Sequence, residues 1–423
     1  MFSCDHNLGG SEKMNVKMIA VLIIILNFGQ IWAEEASELS EPLTQETISC
    51  DPCELSFCQA NKPANAKIEA TTLFWHLGKS PLGIPLVTSG PVVPNSAPVY
   101  GTPGTKVVLG ESDIPGCWRG GGRYSIRGKD CKDNTETEMS YFWLYERSHI
   151  QRVLSNGLPD SGFLAIPFIN ALTHEESSSR LALPGSFAGT AEVVLKNWMQ
   201  GAEVNGIFPL PWNCADSFEV RGLIGFRYWN FQEKLTFSTN SHPIIPSVDV
   251  FKTKDRFQAN NNFYGGQVGF EALWCCQYFS VTARTKLAIG CMCERGRIKG
   301  SFLTNYFFTG KADPALFPAG YFALPTNKRP FTNNEFALIP EVNVDLLIPI
   351  FCQTHLRIGY TCLYANQVLR PGREMSRVIN PTQAPAITAE PITSVMGEKA
   401  PKPLTKQSSV WAQGVNVGIE FSY

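Results

Sequence analysis

Charge is sparse in this chain. Lys, Arg, Asp and Glu make up only 17% of its 423 residues and cancel to a net −1. No basic run tracks a phosphate backbone, so the sequence gives no argument for nucleic acid as a partner. Long apolar runs are also scarce: after the first 33 residues nothing approaches the ~18 consecutive apolar residues of a membrane helix. Histidines are few and scattered, at 6, 76, 149, 174, 242 and 355. His174-Glu-Glu lacks the second histidine of a zinc-protease helix. Gly101-Thr-Pro-Gly-Thr-Lys106 lacks the spacing of a phosphate loop, and Pro103 suits a turn. No Ser/His/Asp set stands out. The expectation is a protein that is not an enzyme, with no catalytic residue, cofactor or metal site.

What is plentiful points to β structure. Gly (35) and Pro (29) are abundant, as turn-rich β proteins require. The stretch 410–423 alternates with period two. Trp411, Val415, Val417, Ile419, Phe421 and Tyr423 share one parity; Gly414, Asn416, Gly418, Glu420 and Ser422 share the other. Such a strand has one greasy face and one wet or tightly packed face. The spacing of Asn416, Gly418, Phe421 and Tyr423 resembles the terminal signal that the barrel-assembly machinery reads in outer-membrane barrels. The upstream chain is therefore expected to close a barrel against this strand.

Residues 17–33 run from a lysine through an apolar core to a small residue, the plan of a secretory signal peptide. A membrane anchor is the rival reading, but the run is short and lightly flanked. Cleavage after Ala33 is expected, with Met1 or Met14 as the true start. Residues 34–65 form an acidic, then Cys-rich, periplasmic extension, and 66–423 form the barrel.

Ten strands are expected, at about 66–78, 123–127, 138–148, 191–207, 217–238, 262–274, 278–302, 334–349, 354–369 and 410–423. Their connections alternate long and short, as in up-and-down outer-membrane barrels with long external loops and short periplasmic turns. An even count puts both termini in the periplasm. Lipid supplies no hydrogen bonds, so the strands must close into a ring. Pro340 predicts a bulge. A missed hairpin in 79–119 or 149–190 would make twelve strands. A soluble β-sandwich is the alternative, but it leaves the alternating loop lengths unexplained.

One parity of these strands carries charge: Arg123, Arg127, Glu219, Arg221, Arg227, Glu271, Arg284, Lys286, Glu341, Asp345, Arg357 and Glu420. Arg or Lys facing lipid at mid-depth costs ~2–4 kcal/mol, which assigns this set to the lumen. It either selects solutes along a water path or forms a self-paired polar core. About eight strands leave an interior filled by side chains, and ~16–18 leave an open channel. Ten strands favour a narrow or plugged lumen over a general diffusion pore.

Of 13 cysteines, Cys4 goes with the signal. Eight of the rest fall on the periplasmic side: Cys50, Cys53 and Cys58 in the extension, and Cys131, Cys214, Cys275, Cys276 and Cys352 in short turns. In an oxidising compartment these are candidate disulfides. Neighbouring turns lie about 10 Å apart, beyond the ~7 Å limit between bridged Cα atoms. Bonds to the extension or to other Cys-rich envelope proteins are therefore expected; buried free thiols are the alternative.

Several segments resemble the "putative beta-barrel porin seven" family of planctomycete-like and related bacteria. They include Gly121-Gly-Arg-Tyr124, 159–170, Gly201-Ala-Glu-Val-Asn205, Gly222-Leu-Ile-Gly-Phe-Arg-Tyr228, Asn262-Phe-Tyr-Gly-Gly-Gln267 and Lys286-Leu-Ala-Ile-Gly290. Leu324-Pro-Thr-Asn327, Glu335-Phe-Ala-Leu-Ile-Pro-Glu341, Arg370-Pro-Gly372 and Trp411-Ala-Gln-Gly414 continue the match in order. The resemblance implies an all-β transmembrane barrel set in outer-membrane lipid, and it supplies no catalytic residues. Two functions are expected: passive passage of small solutes through a narrow charged lumen, or a structural, cysteine-crosslinked envelope or surface-contact role without general pore activity.

Overall fold

The computed structural model describes residues 66–423 except 93–96, 131–133, 212–216, 246–248, 306–313, 329, 389–394 and 404–405. The expected signal peptide and Cys-rich extension, with Cys50, Cys53 and Cys58, lie outside the described residues, as do Cys131 and Cys214.

Sixteen strands, numbered in chain order, are described. Ten form the wall: β1 (Ala66–Leu77), β4 (Cys117–Lys129), β5 (Glu136–Ser155), β8 (Phe187–Pro209), β9 (Phe218–Pro243), β10 (Phe251–Cys275), β11 (Ser280–Thr304), β13 (Pro330–Phe351), β14 (Thr354–Leu369) and β16 (Gln407–Ser422). The connections hold β2 (Pro85–Gly90), β3 (Lys106–Gly110), β6 (Phe163–Asn170), β7 (Glu176–Ala182), β12 (Ala315–Phe317) and β15 (Val378–Ile379). Each wall strand runs antiparallel to the next in the chain, and the wall is a closed antiparallel ring of ten. The seam is β1 against β16, with Ile68 opposite Phe421 and Trp75 opposite Gly414.

The hairpins in 79–119 and 149–190 exist, but they do not join the wall. β2 pairs with β3 and β6 with β7, in a separate sheet that β15 also joins. Residues 239–261, expected as a loop, are mostly wall: β9 continues to Pro243 and β10 starts at Phe251. The seven residues between them are no longer than the 210–217 connection, so loop lengths do not alternate there.

Above the lipid the wall follows a second pattern, visible in β9, and the same inversion at Asn262 and Phe263 of β10 is why 251–261 reads as loop. Up to Tyr228 the outward residues are greasy, with Ile224 and Phe226 exposed, and the inward ones are polar. Beyond it the pattern inverts: Asn230, Gln232 and Lys234 alternate with Trp229, Phe231, Leu235 and Phe237, all buried. The wall thus has an apolar outside where it meets lipid and an apolar inside where it meets water. Exposed Tyr145, Tyr264, Phe336, Tyr364 and Trp411 lie on one border of the lipid face, and Phe208, Trp274, Phe351, Phe421 and Tyr423 on the other, the aromatic girdles of an outer-membrane barrel.

Pro340 sits opposite Leu287 of β11 with no register shift, so the expected bulge is absent there. Its missing N–H points toward β14, where the ladder stops at Glu341. Leu338, two residues earlier and pointing the same way, donates instead to Asn366 Oδ1 at 2.7 Å. The irregularity falls on β14, where its register with β16 shifts between Ala365 and Val368 and Gln367 has φ 49°.

Candidate functional site

The barrel interior is built in tiers, legible along the inward parity of one strand. β9 presents Arg221 and Arg227, then Trp229 and Phe231, then Glu233, then Leu235 and Phe237. Neighbouring strands repeat the order, because antiparallel register holds like residues at like depth.

The first tier, nearest the short turns, is ionic. Arg227 meets Glu203 at 2.7 Å and Glu341 at 2.8 Å; Lys286 meets the same two carboxylates at 2.8 and 3.1 Å. Arg127 meets Glu136, Glu138 and Glu271 at 2.7–3.1 Å. Arg284 bonds Glu271 and reaches Glu138 at 3.0 Å. Arg221 joins them through Glu136 at 3.1 Å and Glu219 at 2.8 Å. Arg357 gathers Glu69, Asp345 and Glu420, the last two at 2.8 and 3.0 Å. Arg284 is on β11 and Glu138 on β5, with three wall strands between them, so this bond spans the interior. Gly359 makes room for the cluster: a Cβ there would lie 1.8 Å from Asp345 Oδ1.

The structure therefore brings together all twelve charged residues singled out in the sequence. Arg123 is the most loosely paired, 3.6 Å from Glu341, with its guanidinium over the Trp75 and Phe142 rings at 5.6 and 5.7 Å. Glu219 sits at the rim, its side chain 35% exposed. Counting Lys67, which lies 4.0 Å from Glu420, the tier holds eight cations and nine carboxylates, and it is close to neutral. Glu69, Glu136, Glu138 and Glu203 were not anticipated, although Glu138 and Glu203 alternate with outward residues and so carried the signal. A cavity of about 20 Å³ remains among Glu69, Arg123, Glu138, Arg284, Lys286 and Arg357, room for about one water.

The second tier is a dry layer across the barrel. Leu73, Trp75, Phe142, Met199, Trp229, Phe263, Met292, Ile339 and Leu363 form one cluster, none more than 4% exposed. Trp75 Nε1 donates to Asn416 Oδ1 at 2.7 Å, and Asn416 Nδ2 donates to Thr361 Oγ1 at 2.7 Å. Asn416 of the terminal signal thus points inward and orients this layer, whereas Phe421 and Tyr423 point outward.

The third tier pins a plug. Arg370, just past β14, is fully buried with Glu233. Its Nη2 donates to Glu233 Oε1 at 3.0 Å, its Nη1 to the Ser409 carbonyl at 2.9 Å, and its ring neighbour is Phe231 at 5.4 Å. Asn261 accepts from Leu369 N–H at 2.8 Å and donates to its carbonyl at 3.0 Å. Above this, Leu86, Val87, Phe168, Leu181, Tyr321, Phe322 and Ile379 from the connections pack against Val193, Leu235, Phe257 and Ile298 of the inner wall. Asp255 of β10 accepts three N–H bonds, from Tyr321, Phe322 and Ala323, at 2.7–3.1 Å. Period-two reasoning could not find Arg370, which lies beyond a strand in a Pro-rich connection.

Glu374 follows this anchor in the plug. It is fully buried, and neither carboxylate oxygen has a hydrogen-bond partner among the described residues. Burial, with Glu294 nearby, pushes its pKa up to about 9. The unfolded chain loses this proton near 4.5, so between those values only the folded form keeps it, and stability falls as pH rises. Glu374→Gln is expected to flatten that fall. At pH 8 it should raise stability by a few kcal/mol, about 1.4 for each pH unit of the window. Denaturant midpoints of both proteins from pH 5 to 8 check this.

A closed antiparallel ring with a greasy belt, two aromatic borders and both ends of the described chain at the short turns is an outer-membrane β-barrel. The family model described as "Putative beta barrel porin-7" matches residues 67–423, and the chain belongs to that family. A search of curated proteins gives no match. Similar solved structures include the outer membrane protease OmpT from Escherichia coli (7% identity, 86% of this chain and 98% of that one, TM-score 0.34). Others are a Pseudomonas aeruginosa FadL homologue (7%, 87% and 92%, 0.22) and the P. putida toluene transporter TodX (7%, 86% and 91%, 0.15).

Proposed function

We propose that the protein is a structural outer-membrane barrel, sealed in its interior by an apolar layer and a plug, that carries no general solute flux. The observation that carries this is the dry second tier. A hydrated ion or sugar crossing it would shed its water with no polar partner, at a cost of several kcal/mol per polar group. The ionic tier supports the reading: its charges are nearly balanced and spent on one another, leaving little net field to select a solute. Passage of small solutes, as the family description suggests, is the second reading, and it needs both the plug and the apolar layer to move. Proteoliposomes carrying the folded full chain should swell in a small sugar no faster than empty liposomes. Swelling at the rate of an open porin would sink the proposal.

The thiols fit a crosslinked envelope component. Cys352 is an exposed free thiol in the β13–β14 turn, and Cys276 is a half-buried one in the β10–β11 turn. Both lie at the short-turn end, where an oxidising periplasm would drive bonding to the N-terminal extension or to another Cys-rich envelope protein. Envelope samples run without reductant should show higher-mass or faster-migrating bands that collapse on reduction. Identical migration in both conditions would remove this part of the reading.

A further inference from the structure

Beyond its aromatic border the outward face of β9–β11 carries a basic field that the barrel itself does not use. Lys234, Lys254, Arg256, Arg295, Arg297 and Lys299 all sit on the outward parity. Register sets Arg256 directly opposite Lys299, and Gln258 between Lys234 and Arg297. On its other side Lys234 faces Lys196 of β8. Like charges placed directly opposite one another destabilise a sheet. Lys196 is answered by Glu146 at 3.0 Å, but the six have no ion-pair partner among the described residues. No carboxylate occupies the outward parity of 230–242, 252–262 or 293–303. Between most of this field and the border lies a band of amides, with Arg295 directly opposite Asn260. Asn230 Nδ2 donates to Asn260 Oδ1 at 2.7 Å and to Asn262 Oδ1 at 2.9 Å, and Tyr228 OH donates to the same Asn262 oxygen at 3.2 Å.

From the membrane outward, this face therefore presents aromatics, then amides, then cations. We propose that it binds the anionic glycolipid of the outer leaflet, with acyl chains on the Tyr264 and Val268 band, sugar hydroxyls on the amides, and phosphate or carboxylate groups on the cations. Height separates this ligand from an ordinary phospholipid. Arg295 is four residues beyond Cys291, which pairs with Tyr264. That is about 14 Å along the strand, or roughly 10 Å in height at the usual tilt. A phospholipid headgroup region is only about 5–8 Å thick, so its phosphate meets at most the lowest cations, whose long side chains bend toward the interface, while a phosphorylated oligosaccharide reaches the whole field.

The test uses the full chain folded in nanodiscs, and compares wild type with Arg256→Gln/Arg295→Gln/Arg297→Gln/Lys299→Gln. All four side chains face outward, so the wall should fold, as heat-modifiable migration would report. Lipopolysaccharide with a phosphorylated core is the probe, beside the same lipid stripped of phosphate and vesicles of phosphatidylglycerol. The expected result is at least tenfold weaker binding of lipopolysaccharide by the variant, and a similar loss for wild type with the stripped lipid. Asn260→Ala/Asn262→Ala, which changes no charge, should weaken binding severalfold. Equal binding by wild type and the quadruple variant would overturn the proposal. So would wild type that binds phosphatidylglycerol as tightly as lipopolysaccharide, which would reduce the face to a non-specific basic surface.

Discussion

Arg370→Met is expected to destabilise the folded barrel by about 3–5 kcal/mol, the usual result of stripping one partner from a buried ion pair. Glu233 would be left without its cation in a site with no exposure. The loss goes beyond the pair, because Arg370 also holds the carbonyls of Ser409 and Lys79, at 2.9 and 3.2 Å. One guanidinium thus ties the end of β14 to the start of β16 and to the exit of β1. Arg370→Lys should recover little, since an ammonium cannot serve these acceptors with a planar fork. Glu233→Gln combined with Arg370→Met should recover part of the loss, because no lone buried charge remains, although the two carbonyls stay without their donor. Guanidinium unfolding midpoints give the stability, and limited proteolysis of the 370–406 connection reports release of the plug. Unchanged midpoints and unchanged protection in Arg370→Met would mean that this pair is not the anchor.

Deleting residues 421–423 is expected to abolish insertion into the outer membrane. The structure separates two causes. One is the seam: Tyr423 N–H donates to the Ala66 carbonyl at 2.8 Å, and Ser422 N–H to that of Gln353 at 2.8 Å. Backbone groups left open toward lipid cost several kcal/mol each. The other is recognition of the outward Phe421 and Tyr423, 42% and 80% exposed. Phe421→Ala/Tyr423→Ala keeps every backbone bond and removes only the rings. This double variant should refold in detergent like wild type, yet fail to insert in cells. Normal insertion of the double variant would leave the seam as the only role of this end.

The ring of ten was legible because lipid enforces a strict rule on the lower half of each strand. β16, the charged parity of β9 and the greasy parity of β13 all obey it, and the family resemblance followed the same segments. The upper half obeys the opposite rule: the strand expected at 217–238 runs through Trp229 and Phe231, but their switch to the inward face was not legible from the lower half. The run of amides and cations from Asn262 back to Lys252 looked like loop for the same reason. Charge parity led to the ionic tier and also marks Glu138 and Glu203, which the expected set omits, but it could not reveal that Glu138 pairs with Arg284 across the interior. The plug was out of reach of periodicity. Its short strands β2, β6 and β15 meet only in three dimensions, and its anchor joins Glu233 to a residue 137 positions later.

Conductance of the purified full chain, reconstituted in planar bilayers and confirmed as folded by heat-modifiable migration, tests the sealed interior most directly. A dry tier and a pinned plug predict a silent membrane over the range of voltages at which open barrels conduct. Stable stepwise currents from folded wild-type protein would contradict the account.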